Sequence, residues 1–446
     1  MAAAQPLSPD ELLETLRGRR CGIIQDFTLL NPAAGGWPWY YGSARTCDVG
    51  LLAGAHSWHP PCGGIGLSRE QTMMSVLGET LERYCAAFRP RAGIQRGSEK
   101  QLRKRFALFS PDELSRFSSA QTQRKEFHYM RYDKDAELEW IPARSLGQEQ
   151  ELLVPAAWTL LPYTGDSHYY IDANSTGLAC GSDNESAIEN AVFEVIERDA
   201  YSLCWLYQGA PPRLSIQQED WAVACFPVLQ HQDWEVDVYD LTGRSGFPVL
   251  LVVLRAPRSY GDRHGPWLTH GVACHLDARQ AFEKASREAM LAYYYLESKW
   301  QHFFSETSMK QKKISAAQLP ADFDGNADFY NLYPSLLEHT RFLRQGGTFR
   351  WGDTPGTREA CSHFTSRELY SRLAQAGLEA AWVDLTTRDI KPLGLHVVRV
   401  LIKGLNWLHA DTRWPYLGTA HAQRPHEHYH YISEGAALNQ WPHALG

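Results

Sequence analysis

The chain has 446 residues, 44% of them hydrophobic, with 51 acidic against 44 basic residues and a formal charge of −7. That composition fills the core of a globular protein of one or two domains and leaves no basic footprint for nucleic acid, because the lysines and arginines are dispersed. No apolar run approaches the length of a bilayer span and MAAAQPLSPDELLETLRGRR lacks an apolar signal region, so a cytoplasmic protein without membrane contact is expected.

In chain order, SPDELLETLRGRR predicts a short helix, with Ser8 as N-cap and Pro9 at the first helical position. GIIQDFTLL and VGLLAGAHSW then read as strands, and HPPCGGIGLSRE as a loop leading into a helix over SVLGETLERY. EFHYMRYDKDAELEWIPARSL and ELLVPAAWTLL read as further strands, and NSTGLACGSDNES as a turn-rich approach to a second helix, NAVFEVIERDA. Two later stretches, WEVDVYDLTGRSGFPVLLVVLRA and LEAAWVDLTTRDIKPLGLHVVRVLIKG, share a pattern of strand, D-L-T turn at Asp240 or Asp384, and apolar strand. Between them LDARQAFEKASREAMLAYYYLESKW is helical, and SETSMKQKKISAAQLPADFDGNADF reads as a mobile surface segment. PHEHYHY would put His426, His428 and His430 on one face of an extended segment, a pattern more often structural than metal-binding. The nine cysteines never form C-x-x-C, so reduced thiols are expected rather than a zinc site or a disulfide framework.

The two helices repeat one pattern: Ser75, Glu79, Glu82 and Arg83 match Asn190, Glu194, Glu197 and Arg198 in spacing. A 3.6-residue period puts Met73, Leu77, Leu81, Tyr84 and Phe88 on the buried side of the first, with Ser75, Glu79 and Glu82 opposite. In the second, Ile188, Val192, Val195 and Ile196 form the apolar side, and Asn190, Glu194 and Glu197 the other. One E-x-x-E-R on an amphipathic helix reads as a solvated face with arginine pairing back to glutamate. Two copies in the same phase, each with like charges at i and i+3, point instead to a cation. Carboxylate and amide oxygens are hard ligands that suit Mg²⁺, whose remaining ligands come from water and substrate phosphates. No G-x-x-x-x-G-K-[ST] is present, so a P-loop is excluded.

CGGIGLSREQTMMSVLGETLERYC, NSTGLACGSDNESAIENAVFEVIERDA and GVACHLDARQAFEKASREAM together resemble, in order and spacing, the three signature blocks of the YcaO-domain family. The likeness covers nearly the whole chain and is nearest to the cyclodehydratases of thiazole/oxazole-modified peptide biosynthesis, a class of antibiotic-forming pathways acting on ribosomally made peptides. It implies an α+β fold of YcaO type with related strand-turn-strand substructures, one catalytic domain over 1–446 with an internal pseudo-repeat, and a tail over 434–446 reaching the active site. It further implies that Glu79, Glu82, Glu194 and Glu197 bind Mg²⁺ and ATP, that Ser75, Asn190 and Arg198 hold the nucleotide, and that Glu288 closes the site. In the tail LNQWPHALG, Pro442, His443 and the carboxylate of Gly446 become the candidates for proton transfer. Two departures stand out: Ile65 occupies a position often held by lysine, and Ala444 replaces a second proline, which predicts a less preorganised tail.

The implied reaction is cyclodehydration. A Cys, Ser or Thr side chain attacks the preceding backbone carbonyl, ATP phosphorylates the amide oxygen, and its departure as phosphate leaves an azoline; the protein positions the reactants and neutralises charge. Without C-x-x-C pairs or an E1-like preceding domain, a separate E1-like leader-binding partner is expected. A flavin-dependent dehydrogenase would be needed for azoles, and a homo-dimer or hetero-oligomer is expected. Rival readings keep the fold but change the nucleophile, giving a thioamide or amidine. Fifteen tryptophans and paired acids suggest a glycoside hydrolase more weakly, since such acids usually lie alone at strand ends. Retention of four glutamates and two arginines argues against a non-catalytic scaffold.

Overall fold

The computed structural model describes residues 7–18, 20–32, 37–90, 93–148, 150–165, 169–172, 174–255, 268–303, 314, 318–358 and 365–445. The fold mixes helices with three sheets, in agreement with the α+β expectation. Two compact units emerge, one from 1–116, 122–195 and 366–404, the other from 117–121, 196–365 and 405–446. No described helix is long and apolar enough to cross a membrane. Cys361 lies outside the described residues, and the remaining cysteines are free thiols.

The first unit opens with the expected helix, Pro9–Leu16, closed by a reciprocal cap: Ser8 Oγ accepts from the Glu11 amide, and the Glu11 carboxylate accepts from the Ser8 amide. A three-stranded antiparallel sheet follows, Ile24–Leu30, Tyr40–Thr46 and Pro61–Gly66 in that order. Two expectations fail here. VGLLAGAHSW forms a helix at Val49–Ala53 because Asp48 caps it, accepting from the Leu51 amide at 2.9 Å, and Gly54 at φ +78° ends it. PCGGIG is a strand rather than a loop, because its glycines let the backbone pass close beneath a helix. A Cβ on Gly64 would lie 2.8 Å from the Val76 nitrogen.

That helix, Arg69–Ala86, packs on strands of this sheet and on Leu178–Gly181 of a second, six-stranded sheet. The second sheet runs Gln95–Ser98, Glu137–Ser145, Ala380–Asp384, His396–Ile402, Leu178–Gly181, with Glu151–Pro155 pairing Glu137–Ser145. The stretch 126–136 takes no part in it, so the long strand expected over 126–146 shortens to Glu137–Ser145.

The second unit is built on a five-stranded sheet ordered Leu268–Cys274, Val249–Arg255, Glu235–Asp240, Arg213–Ser215, Thr348–Arg350, parallel only at the last pair. The first two strands are buried along their whole length, the second of them apolar from Val249 to Leu254, and helix Ala278–Phe303 lies against them. Of the segment expected to be mobile, 305–313 and 315–317 lie outside the described residues. Its far end is instead a packed helix, Phe323–Leu332, with Asn326, Phe329 and Tyr330 buried, capped by Asp322 accepting from the Gly325 amide at 2.7 Å.

The two D-L-T turns adopt one geometry, one in each unit. Asp240 Oδ1 accepts from the Thr242 amide at 2.9 Å and Asp384 Oδ1 from the Thr386 amide at 2.9 Å. Thr242 Oγ1 then accepts from Val249 at 3.1 Å and Thr386 Oγ1 from Val397 at 3.0 Å, so each turn hands over directly to its returning strand.

Gly271 marks the tightest helix-to-sheet approach in the second unit. A Cβ there would lie 2.0 Å from the Ala285 carbonyl oxygen and 2.2 Å from the Ala289 nitrogen, backbone atoms that cannot turn away. Gly271→Ala is expected to destabilise the protein by about 2–4 kcal/mol, read as a lower denaturant midpoint.

Candidate active site

In the first unit, Met73, Val76, Leu77 and Leu81 of helix Arg69–Ala86 are fully buried, while Tyr84 and Phe88 complete the stripe half-buried, with ring centroids 4.9 Å apart. The opposite side carries the acids, and each is held by a backbone amide from elsewhere in the unit. Glu79 accepts from Gly63 at 2.7 Å, Glu82 from Cys180 at 2.9 Å, and Glu194, on helix Asn184–Leu206, from Gly177 at 3.0 Å. Gly177 has φ +80°, and a Cβ there would sit 2.3 Å from the Val400 carbonyl oxygen, so no other residue could present this amide.

The electrostatics follow from this crowding. Burial pushes the Glu82 carboxyl up to about 8; Arg83 opposes the shift, and Glu194 and then Glu79 add to it. Arg83 donates to Glu79 at 3.0 Å; burial works against its charge, and Glu79 and Glu82 more than offset that. A second guanidinium, Arg399, is fully enclosed in strand His396–Ile402 and donates to the Asn174 carbonyl at 2.9 Å. Burial pulls it down to about 9, with Glu194 opposing. Carboxylates and guanidinium groups gathered in this way suit a polyphosphate carried with a hard cation. Among the described residues no three Asp, Glu, His or Cys side chains form a metal cage of their own. The donor set fits Mg²⁺, which keeps waters and phosphate oxygens in its shell.

Ser75 and Asn190 are exposed on the two helices, at the expected positions. Glu197 lies three residues beyond Glu194 on the same helix. It belongs to the second unit and is 1% exposed, because the helix beyond Ile196 is enclosed, with Asp199, Ala200, Tyr201 and Ser202 all buried. Arg198 Nε lies 3.3 Å from Glu197, and Glu288 is half-buried on helix Ala278–Phe303 of that unit. The structure thus brings Glu79, Glu82 and Glu194 together within the first unit, and places Glu197, Arg198, Glu288, Pro442 and His443 in the second.

Two charged residues were missed from the sequence. One is Arg399, a lone charge in an apolar strand, which should have demanded a partner. The other is Asp199, directly after E-R, which accepts from the Asn406 amide at 2.6 Å, from His421 Nδ1 at 2.7 Å and from the Tyr429 hydroxyl at 2.5 Å. PHEHYHY does not run extended. Pro425–His428 is one helical turn, His428 stacks on His421 at 3.6 Å, and His430 is exposed.

The tail is not loose. The Pro442 carbonyl accepts from Tyr330, His443 Nε2 donates to the His409 carbonyl at 2.8 Å, and the Ala444 amide donates to the Tyr201 hydroxyl at 3.3 Å. Pro442 to Leu445 are buried, Ala444 included, so packing supplies the restraint that a second proline would have given; Gly446 lies outside the described residues. Burial pulls His443 down to about 4, its bond to the His409 carbonyl working the other way.

Residues 63–406 match the family described as YcaO cyclodehydratase, ATP- and Mg²⁺-binding. The chain belongs to the YcaO family. An uncharacterized protein of Methanothermobacter thermautotrophicus is 26% identical over 360 residues, 78% of this chain and 82% of that protein. Among solved structures, a heterocyclase in complex with substrate and cofactor superposes with a TM-score of 0.70 at 20% identity, covering 92% of this chain and 54% of its own. The chain therefore spans about half of that heterocyclase's length. The YcaO protein of Methanopyrus kandleri, bound with AMPPCP and Mg²⁺, superposes with a TM-score of 0.60 at 20% identity, covering 90% of this chain and 91% of its own. The fold is that of these two structures, and the chain is an enzyme of an ATP- and Mg²⁺-binding, cyclodehydratase-type family.

The raised Glu82 sets a pH dependence with a definite sign. Its folded-state pKa of about 8 lies above the ordinary 4.5, so the ligand-free protein loses stability as pH rises through that interval. Glu82→Gln removes this loss. At pH 9 the ligand-free variant is expected to be more stable than the parent by about 1–3 kcal/mol in denaturant titration, with the difference shrinking toward pH 5. Mg²⁺ with nucleotide should raise the melting temperature of the parent and not of the variant.

Proposed function

We propose that the protein uses ATP and Mg²⁺ to convert Cys, Ser or Thr residues of a ribosomally made precursor peptide to azolines. The observation that carries this reading is the set of three glutamates, each fixed by a separate backbone amide and set beside Arg83 and Arg399. Glu79, Glu82 and Glu194 would hold the cation, with Glu197 as the fourth family ligand and Ser75, Asn190, Arg198 and Glu288 completing the nucleotide contacts. Mg²⁺, when bound, would neutralise the phosphates and favour transfer of the γ-phosphoryl group to the amide oxygen, with ADP leaving. The chain's own residues have the remaining tasks: fixing ligand directions through the strand amides and supplying positive charge from buried arginines.

Cyclisation also needs a base for the attacking thiol or hydroxyl. His443 is poorly suited to that task. Its Nε2–H is committed to the His409 carbonyl, its Nδ1 accepts from the Leu445 amide at 3.3 Å, and its pKa is held near 4. In this reading His443 and Pro442 position the tail, and the base is the carboxylate of Gly446. A leader-binding E1-like partner remains part of the proposal. Assembly as a homo-dimer or hetero-oligomer, a flavin dehydrogenase in the same complex and a cytoplasmic setting belong to it as well. A glycoside hydrolase is disfavoured by acids that face one another and strand amides rather than an open cleft.

Glu194→Gln should abolish ATP consumption while leaving the melting temperature level or raised. With the parent enzyme, its partner and a precursor peptide, each event should remove one water from the peptide mass. Exchange of oxygen for sulfur would instead establish a thioamide-forming enzyme. Extending the chain beyond Gly446 should cut cyclisation at least about tenfold with the KM for ATP unchanged.

A further inference from the structure

The second unit contains a cleft of about 380 Å³ that the nucleotide reading does not use. One side is formed by Glu338, Arg341 and Gln345 of the 3₁₀ segment Pro334–Gln345, the other by Gln440 and Trp441, just before the buried tail. Gln208 also lines it, and Gln208 is the one non-glycine residue among those described with φ in the left-handed region, at +48°.

That conformation needs explaining. Helix Asn184–Leu206 ends in a paired cap: the Gln208 amide donates to the Trp205 carbonyl at 3.3 Å and the Gly209 amide to the Cys204 carbonyl at 2.8 Å. The left-handed position of this cap is ordinarily glycine. Here the glycine falls one residue later, where a Cβ would press on the Tyr431 ring at 2.9 Å, and a glutamine takes the unfavourable backbone angles. A strained residue whose side chain lines a cleft is a pointer to binding.

The tail wall is rigidly set against the same helix end. The Asn439 amide donates to the Leu206 carbonyl at 2.7 Å, Asn439 Nδ2 to the Trp205 carbonyl at 3.2 Å, and Trp205 Nε1 to the Trp441 carbonyl at 3.0 Å. His339 stacks on Trp441 with centroids 4.1 Å apart and planes 18° off parallel, giving a flat apolar surface beside the polar one. The primary amides of Gln208, Gln345 and Gln440 each donate and accept, which matches the alternating N–H and C=O of a peptide backbone. Glu338 opposes an anionic ligand such as a phosphate, and Arg341 opposes a cation, which leaves a neutral, amide-bearing chain as the ligand of best fit.

We infer that this cleft holds an extended stretch of the substrate peptide and guides it along Gln440–Trp441 toward Pro442. The inference rests on the proposed peptide-modifying function and adds the place where the peptide is held. It also gives Gln208 a role as a specificity residue that reads the backbone.

The test uses the full chain and a fluorescein-labelled model peptide of alternating Gly-Ser and Gly-Cys, with binding followed by anisotropy without ATP. Gln208→Gly keeps the cap and relieves its strain, so its melting temperature should stay level or rise while the peptide binds about five- to tenfold more weakly. Gln345→Ala should weaken peptide binding similarly, and neither change should alter the KM for ATP. Unchanged peptide affinity in both variants, or no peptide binding by the parent, would overturn the assignment. Peptide that binds at this cleft but never loses water would instead count against cyclodehydration and leave the cleft standing.

Discussion

Like charge at close quarters is the constraint around which the first unit is arranged. Burial raises the proton affinity of Glu82 most, and the neighbouring Glu194 and Glu79 raise it further. Such a cluster would disperse if left to itself. What holds it is a set of backbone amides delivered by strand Pro61–Gly66 and by the run from Gly177 into Leu178–Gly181. Side chains could have supplied donors, but they can rotate; strand amides cannot, and they fix both the position and the direction of each carboxylate. The glycines at 64 and 177 are consequences, since the strands must come within backbone distance of helix or neighbouring strand to present those donors.

The same economy appears in the paired D-L-T turns. Each uses an aspartate to bind the amide two residues on and a threonine hydroxyl to catch the returning strand. Their surroundings have diverged. Asp240 accepts also from the Gly356 amide at 2.9 Å, inside a buried loop of the second unit. In the first unit the turn after Asp384 continues to Thr387 and Asp389, which meet Cys85 and Tyr84 of the acidic helix, at 3.5 and 2.8 Å. One hairpin thus serves as internal scaffold, and its counterpart steadies the helix that carries Glu79 and Glu82.

Much of this was legible in the sequence. The 3.6-residue period found both acidic helices and their buried stripes. The D-L-T pairs were visible because turn chemistry is local. What escaped depended on contacts distant in sequence. PCGGIG looked like a loop because glycine is a poor strand former, and only the helix above it explains why glycine is needed there. VGLLAG looked like a strand because six apolar or small residues carry no period, and the cap at Asp48 decided the matter. The enclosure of Glu197 was not legible either, since spacing says nothing about what surrounds the far half of a helix. Arg399 and Asp199 were single charges without a repeat to mark them, and their partners lie far along the chain.

The two units also place opposite demands on pH. Glu82 in the first is costly when ionised, and a bound cation is what would make its carboxylate favourable near neutrality. In the second, burial holds His270, His409 and His443 neutral, with pKa values below the ordinary 6.5. The unfolded chain binds protons at these histidines before the folded one does, so that unit loses stability as pH falls below about 6.5. An acid limit therefore comes from the packing around the tail, and an alkaline limit for the ligand-free state from the carboxylate cluster. Only the second can be moved by a ligand. Cation and nucleotide would relieve the first unit's charge, whereas nothing that binds there discharges a protonated histidine beside Pro442, so acid sensitivity should persist in the fully loaded enzyme.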